Sequence, residues 1–398
     1  MLQAAVVVGF ACGGGLLGYL SAKRHEQRAL EQRASRVDHR SGRLAAVPAG
    51  ANASPTGAST ETSADAATQL ARALPSPAKV APNDGLGFLG QARDGELLAQ
   101  LSSDAIVAAK KGSGGRTLAF KLRLASGIKA YYKPEQSVSS ARWYAEVAAY
   151  HLDRALGLGR VPPVVSRSVL WSSLRRAAGS DSRAKELTVS RDGLVRGALI
   201  YWVEGHLVPA VTPPGWENWV RSEGFGRTTV SPYQRASAYG EALSAAHQRR
   251  LRQEAPITFY DAAPTPQRAE LPAELSDMIV FDFLTLNYDR FGGDNANILE
   301  LGAAGPLLLL DNGDGFSPGP PRRSVLDARL APLSRFRKRT IDALRALDVR
   351  SFGARLAREP LAPILDAQAL GGLAARREIV LEHVAAQQQR FGDAVFAW

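Results

Sequence analysis

Asp289, in the segment DRFGGDNAN, and Asp311, which ends the run PLLLLD, lie 22 residues apart with Asn297 between them. Carboxylate and amide oxygens held in fixed directions are what hard cations such as Mg2+ or Mn2+ bind. A transferring phosphoryl group carries spread negative charge that such cations stabilise. Asp311 with Asn297 would supply the metal side of a phosphoryl-transfer site, and Asp289 would orient the attacking hydroxyl. The same residues also admit a plainer reading, as Asp-Gly and Asn-Gly turns flanking a hairpin.

Upstream, KAYYKPEQ ends a strand pattern with Lys133 just before Pro134, and ARWYAEVAAYHLDRALGLGRVPP predicts a helix from about residue 139 to 158, closed by Gly159 and two prolines. That helix is apolar around most of its circumference, yet it contains Glu146. A buried carboxylate must be paired or bind metal, and Lys133 is its natural partner. Residues 104 to 136 predict three strands joined by two turns, with Gly112, Gly114 and Gly115 in the first. Glycines there would let backbone N–H groups approach a phosphate, although a plain tight hairpin has the same signature.

The elements that must position these residues follow in order. GALIYWVEGHLVP (197–209) reads as a strand entering a turn, either an ordinary core strand or a link between two lobes. Leu275, Met278, Ile279 and Leu286 follow helical spacing up to a polar loop near Asn287. NILEL and PLLLLD then form a hairpin around GAAG, and RREIVLEHVAAQQQRF near the end is an amphipathic helix packed on the back of the fold. The fold class is therefore α+β, with a strand-rich front part and a helical back part.

The chain has 398 residues, 45% hydrophobic and 22% charged, an ordinary globular composition. Its one cysteine, Cys12, excludes an intrachain disulfide and a cysteine-based metal site. Of the net charge of +11, residues 1–43 carry +4, from seven Lys or Arg against three Asp or Glu. No basic stripe with interleaved aromatics occurs elsewhere, so no nucleic-acid partner is expected. Residues 2–20 lack charge and have the length of a membrane span. The basic flank that follows assigns the rest to the cytoplasmic side, with a cleaved secretory signal as the alternative. Residues 44 to about 85 are Ala, Ser, Thr, Pro and Gly and read as a flexible tether. The expected organisation is an anchor (1–22), a basic flank and disordered linker (23–85), a front lobe (86–210) and a back lobe (211–398).

KAYYKPEQ, AEVAAYHLDRALGLGRVPPVVSR, FDFLTLNYDR and LLLLDNGDGF together resemble the secretory-pathway kinases that include Four-jointed and the Golgi casein kinase, over about residues 104 to 345, with FDFLTLNYDR and LSRFRKRTIDALRAL most similar to the Four-jointed box kinases. The resemblance implies an atypical two-lobed protein-kinase-like fold, ATP as donor, and Mn2+ or Mg2+ as cofactor. It places Lys133 on the nucleotide phosphates, Glu146 as partner of that lysine or of the metal, Asp289 as catalytic base and Asp311 as metal ligand. Because FGGDNAN is longer than the loop such kinases carry, Asn295 rivals Asn297 as second metal ligand. DRFGGDNANIL and LLDNG also resemble type II phosphatidylinositol 4-kinases. Secretory members carry disulfides and face the lumen; a bacterial relative facing cytoplasmic ATP would need neither. The expected acceptor is a protein Ser or Thr hydroxyl, with a lipid or sugar kinase as the runner-up and a membrane-tethered pseudokinase scaffold as the non-enzymatic alternative.

Overall fold

The computed structural model describes residues 87–91, 94–113, 115–138, 142–210, 216–222, 233, 268–291, 297–317 and 323–398. All fall within one compact unit, Pro75–Trp398. The expected membrane span, basic flank and linker, and the candidates Gly114 and Asn295, lie outside the described residues.

Helix α1 (Asp94–Ser103) leads into strands β1 (Ile106–Lys111), β2 (Phe120–Leu124) and β3 (Lys129–Pro134), the three expected from the glycine-punctuated sequence. Helix α2 (Trp143–Ala155) follows, then β4 (Val164–Leu170), α3 (Trp171–Ala178) and β5 (Leu194–Tyr201). The five strands form an antiparallel sheet in the order β1-β2-β3-β5-β4, which makes β3 its centre. Along β3 burial alternates: Ala130, Tyr132 and Pro134 are buried while Tyr131 and Lys133 are partly open. The period of two thus sends Tyr131 and Lys133 to one face and Tyr132 to the other. Lys133 consequently has one tyrosine beside it on its own face. The other, Tyr132, is turned away and donates to the carbonyls of Val195 and Arg167 at 2.5 and 3.2 Å.

Helix α2 is shorter at both ends than its apolar pattern suggests. Its last turn meets Gly157 and Gly159, both at positive φ (65° and 66°), and a Cβ on Gly159 would stand 2.8 Å from the carbonyl oxygen of Gly87. Eleven of its thirteen residues are buried, Glu146 among them.

After β5 the chain passes through Trp202–His206 into β6 (Leu207–Pro209), which pairs with β7 (Leu299–Leu301), itself paired with β8 (Leu307–Leu308). The segment 197–209 is therefore both things the sequence allowed, a core strand and a link to a second sheet. Helix α4 (Leu271–Thr285) is buried over its whole length and ends at Leu286, whose φ of 60° turns the chain into the Asn287 loop. The hairpin NILEL–PLLLLD forms as expected, but its second strand stops at Leu308, and Leu309 and Leu310 run on without a ladder partner in that sheet. Leu309 N–H instead donates to Arg160 O at 3.0 Å.

Helices α5 (Arg323–Leu330), α6 (Lys338–Ala346), α7 (Val349–Leu356) and α8 (Ala367–Phe391) complete the chain. Helix α8 buries Leu373, Val380 and Val384 in the common core, as its amphipathic pattern indicates. Among the described residues no helix is long and apolar enough to cross a membrane.

Candidate active site

A cavity of about 230 Å³ opens at the end of β3 and is lined by Tyr131, Lys133, Glu146, Ile200, Trp202, Val203, Leu207, Leu309, Asp311 and Asn312, with others. One wall is apolar and the other holds the charges. Lys133 reaches the cavity because β3 is central and its pleat points that way. Glu146 reaches it from the first turn of α2, and Asp311 from the unpaired leucine run.

These three groups form one cluster. Lys133 Nζ lies 2.5 Å from Glu146 Oε1 and 2.6 Å from Asp311 Oδ1. Their environments differ: the Glu146 side chain is 2% exposed, Lys133 20% and Asp311 63%. Burial works against a charged lysine here, and the carboxylates of Asp311 and Glu146 overcome it, so the ammonium is held well above its ordinary range. Lys133 in turn pulls the Asp311 carboxyl below the usual carboxylate value.

Asp311 has φ of 55°, a left-handed conformation that costs a non-glycine residue on the order of 1–3 kcal/mol and persists only where its surroundings enforce it. The enforcement is visible on both sides. Asn312 N–H donates to Glu146 Oε1 at 3.0 Å, and Asn312 Nδ2 to Leu309 O at 2.9 Å. Asn287 Nδ2 donates to Asp311 O at 3.3 Å while its Oδ1 accepts from Asp289 N–H at 3.1 Å, so one side chain ties the two aspartates together. Gly315 closes the turn: a Cβ there would stand 3.0 and 3.1 Å from the carbonyl oxygens of Asn312 and Thr285. Arg142, at the start of α2, donates to Asp314 O at 2.9 Å and lies 3.5 Å from its carboxylate, giving Asp314 a bridging place between α2 and this turn.

Burial raises the pKa of Asp289, and repulsion from Asp311 and Asp314 adds to it. Repulsion on Asp289 from two neighbouring carboxylates is what a divalent cation would relieve. Among the described residues no group of three or more His, Cys, Asp or Glu could hold a metal on its own. A cation here would therefore be held as Mg2+-type ions usually are, by one or two carboxylates completed with substrate phosphates and water. Asp311, far more exposed than Glu146, fits that requirement.

The other sequence candidates are distributed less favourably. Asn297 Nδ2 donates to Asp289 O at 2.9 Å and to Asp289 Oδ2 at 3.1 Å, so its amide nitrogen serves the aspartate and its side-chain oxygen is what it could offer a metal. Gly112 does not line the cavity. Its N–H is committed to Ala119 O at 2.8 Å, and a Cβ would stand 2.8 Å from Tyr131 Oη, so Gly112 is required by packing against Tyr131. Gly115, at φ 80°, is a turn glycine outside the cavity, and its carbonyl accepts from Arg183 at 3.0 Å. Of the hairpin's described glycines, neither Gly112 nor Gly115 lines the cavity, although Gly112 packs on Tyr131, which does. Asn287, Arg290, Asn312 and Asp282 were missed at the sequence level; the Asn before the DR pair and the Asn after Asp311 were the available signals.

The family model for Fam20, described as Golgi casein kinase, C-terminal, matches residues 90–192 and 231–394, more than half of the chain. The human glycosaminoglycan xylosylkinase is 28% identical over 326 residues, covering 75% of this chain and 76% of that protein. The human extracellular serine/threonine protein kinase FAM20C is 26% identical over 330 residues, covering 72% of this chain but 53% of its own length, so the chain spans about half of that relative. A crystal structure of the Golgi casein kinase with Mn and ADP bound superposes with a TM-score of 0.52 at 17% identity, over 76% of this chain and 77% of that one. The α+β fold is accordingly kinase-like, and of the two groups the motifs resembled it is the Golgi casein kinase side that these likenesses carry. The chain belongs to the Fam20 family of kinases.

Proposed function

We propose that the chain transfers the γ-phosphate of ATP, with Mn2+ as the cation, to a hydroxyl group of a glycan or protein acceptor. The observation that carries this is the cluster of Lys133 with Glu146 and Asp311 at 2.5 and 2.6 Å on the wall of the cavity. Bound Mn2+ would neutralise charge developing on the transferring phosphoryl group. Glu146 holds Lys133 so that its ammonium faces the nucleotide phosphates, and Asp311 presents its carboxylate to the cation. Asp289, braced by Asn297 and Asn287, accepts the hydrogen bond of the acceptor hydroxyl and orients it. The apolar wall formed by Ile200, Val203, Leu207 and Leu309 suits a purine ring.

A protein Ser or Thr was the acceptor expected from the sequence. The greater identity and coverage of the xylosylkinase favour a sugar hydroxyl, and the FAM20C likeness supports the protein reading. The full chain, given ATP and Mn2+, should phosphorylate a xylose-bearing glycosaminoglycan or an acidic protein such as casein, and Asp289→Ala and Asp311→Ala should each lower the rate by more than a hundredfold. Undiminished transfer in both variants would dismiss the assignment, and the two acceptors separate its branches.

Two organisational readings go with it. A division into front and back lobes, expected near residue 210, falls more naturally between Tyr201, where the five-stranded sheet ends, and Leu207, where β6 begins to pair with β7. A membrane anchor at residues 2–20, with the body on the cytoplasmic side, rests on the uncharged run and its basic flank. Recovery of the full chain in the aqueous fraction after carbonate extraction would remove the anchor.

A further inference from the structure

Arg290 follows the aspartate assigned to the acceptor hydroxyl and is 1% exposed, among the largest fully buried side chains of the described residues. A guanidinium presents five N–H donors, and buried donors must be met. One NH1 hydrogen goes to the carbonyl of Leu310, the residue before Asp311. NH2 donates to Asn312 Oδ1 at 2.7 Å, the residue after it. Nε and NH2 also lie 3.3 Å from the Asp282 carboxylate on α4. Asn312 passes the contact on, because its N–H and Nδ2 reach Glu146 Oε1 and Oε2 at 3.0 and 3.5 Å.

One buried cation therefore grips Asp311 from both flanks, through hydrogen bonds to its neighbours, and anchors that grip to α4, which is buried over its whole length. Asp311 needs such a grip: its φ of 55° is disfavoured, and a relaxed backbone at this residue would swing the carboxylate off the direction it now has. Arginine suits the task where lysine does not, because only a planar fork can serve a carbonyl, an amide oxygen and a carboxylate at once.

Building on the kinase reading, we propose that Arg290 is a positioning residue for the metal. With Asp282 and Asn312 it fixes the left-handed backbone at Asp311, and so sets how tightly Mn2+ is held without touching it.

The test is calorimetric titration of the full chain with ADP, in the presence of Mn2+ and again in EDTA, on wild type, Arg290→Lys and Asn312→Ala, with thermal melts of each. Partners that orient a metal ligand typically contribute 10- to 100-fold in metal affinity. We expect Mn2+-dependent ADP binding to weaken at least tenfold in both variants while binding in EDTA weakens by a clearly smaller factor, a split that general loosening of the fold would not produce. Equal loss with and without Mn2+ would overturn the proposal, as would wild-type Mn2+-dependent affinity in a folded variant. Should Arg290→Lys fail to fold, Asn312→Ala alone decides, since it removes only the side-chain amide that accepts from Arg290 and leaves the Asn312 N–H on Glu146 in place. A wild-type chain that binds ADP with no Mn2+ dependence refutes the kinase reading and this inference with it; variants unchanged beside a Mn2+-dependent wild type refute the inference alone.

Discussion

Replacing Lys133 by Met probes the charge cluster most directly, because the two carboxylates it serves differ so much in exposure. The Lys133–Asp311 pair is open to water on the Asp311 side, and such a pair contributes about 0–1 kcal/mol to stability. The Lys133–Glu146 pair is another matter. At 2.5 Å and an effective dielectric of about 20, its gross attraction is about 7 kcal/mol, most of which offsets the desolvation of the two ions. Lys133→Met leaves the Glu146 carboxyl at 2% exposure without its cation, and with Asn312 as its remaining donor. Stranding one member of a buried pair costs about 3–5 kcal/mol, and the Asn312 contacts place this case near 3.

For a unit of this size, 1 kcal/mol moves the melting temperature by about 2 °C, so Lys133→Met should melt about 6 °C lower. Glu146→Gln should fall by only about 2 °C, since Lys133 keeps Asp311 and an amide replaces the carboxylate. The double variant carries no stranded ion. It should melt about 4 °C above Lys133→Met, by circular dichroism at low ionic strength and neutral pH. A double variant that melts below Lys133→Met would refute the reasoning, because it would mean the two side chains act through packing.

Two further outcomes follow from the same coordinates. At Gly197, paired with Pro134, a Cβ would stand 2.5 Å from Lys133 O and 2.7 Å from the Tyr132 ring. Gly197→Ala should therefore push β3 out of place, cost about 1–3 kcal/mol, and weaken nucleotide binding along with stability; a variant with wild-type melting and affinity would contradict this. Burial raises the Asp277 carboxyl to about 6, against the opposing effect of Arg337, whose Nε lies 2.9 Å away. A carboxyl whose folded pKa lies above its unfolded value binds its proton first in the folded state, so this group favours folding increasingly as pH drops from about 6 to about 4. The stability of wild type minus that of Asp277→Asn should accordingly rise by up to about 3 kcal/mol between pH 7 and pH 4 in urea melts, and a flat difference would reject the raised pKa.

How much of this was legible beforehand depended on how local each determinant is. The alternation that aims Lys133, the helix that carries Glu146 and the hairpin that leads to Asp311 each follow from periods of two or 3.6 residues and from Gly or Pro at their ends. Glycine was less informative, because a glycine that faces a phosphate and one that faces a tyrosine look alike in sequence. Gly112 faces Tyr131 and the Ala119 carbonyl, whose oxygens stand 2.8 and 3.1 Å from its absent Cβ, a packing neighbourhood that no sequence pattern announces. Arg290 was illegible for a deeper reason. An arginine in a polar loop reads as solvated, and its burial is created by α4, the leucine run and Asn312 converging from 8 to 22 residues away.

The partners of the acids separate those that serve the fold from those that serve the chemistry. On α4, Glu274, Asp277 and Asp282 are all buried and all meet arginine: Arg160 at 2.5 Å, Arg337 at 2.9 Å and Arg290 at 3.3 Å. A guanidinium holds its charge through any event in the cavity and binds in a fixed fork, so those pairs are permanent. Asp311 meets a lysine. Its ammonium is a single point charge on a flexible stem, already shared with Glu146, and can turn toward a phosphate without leaving the cluster. The carboxylate it would release is 63% exposed, and its residue is braced through its own backbone, whose carbonyl accepts from Asn287 Nδ2. An acid with an exchangeable partner, an accessible oxygen and a braced backbone can change ligands during a reaction. Among the described acids around this cavity, Asp311 is the one that combines all three.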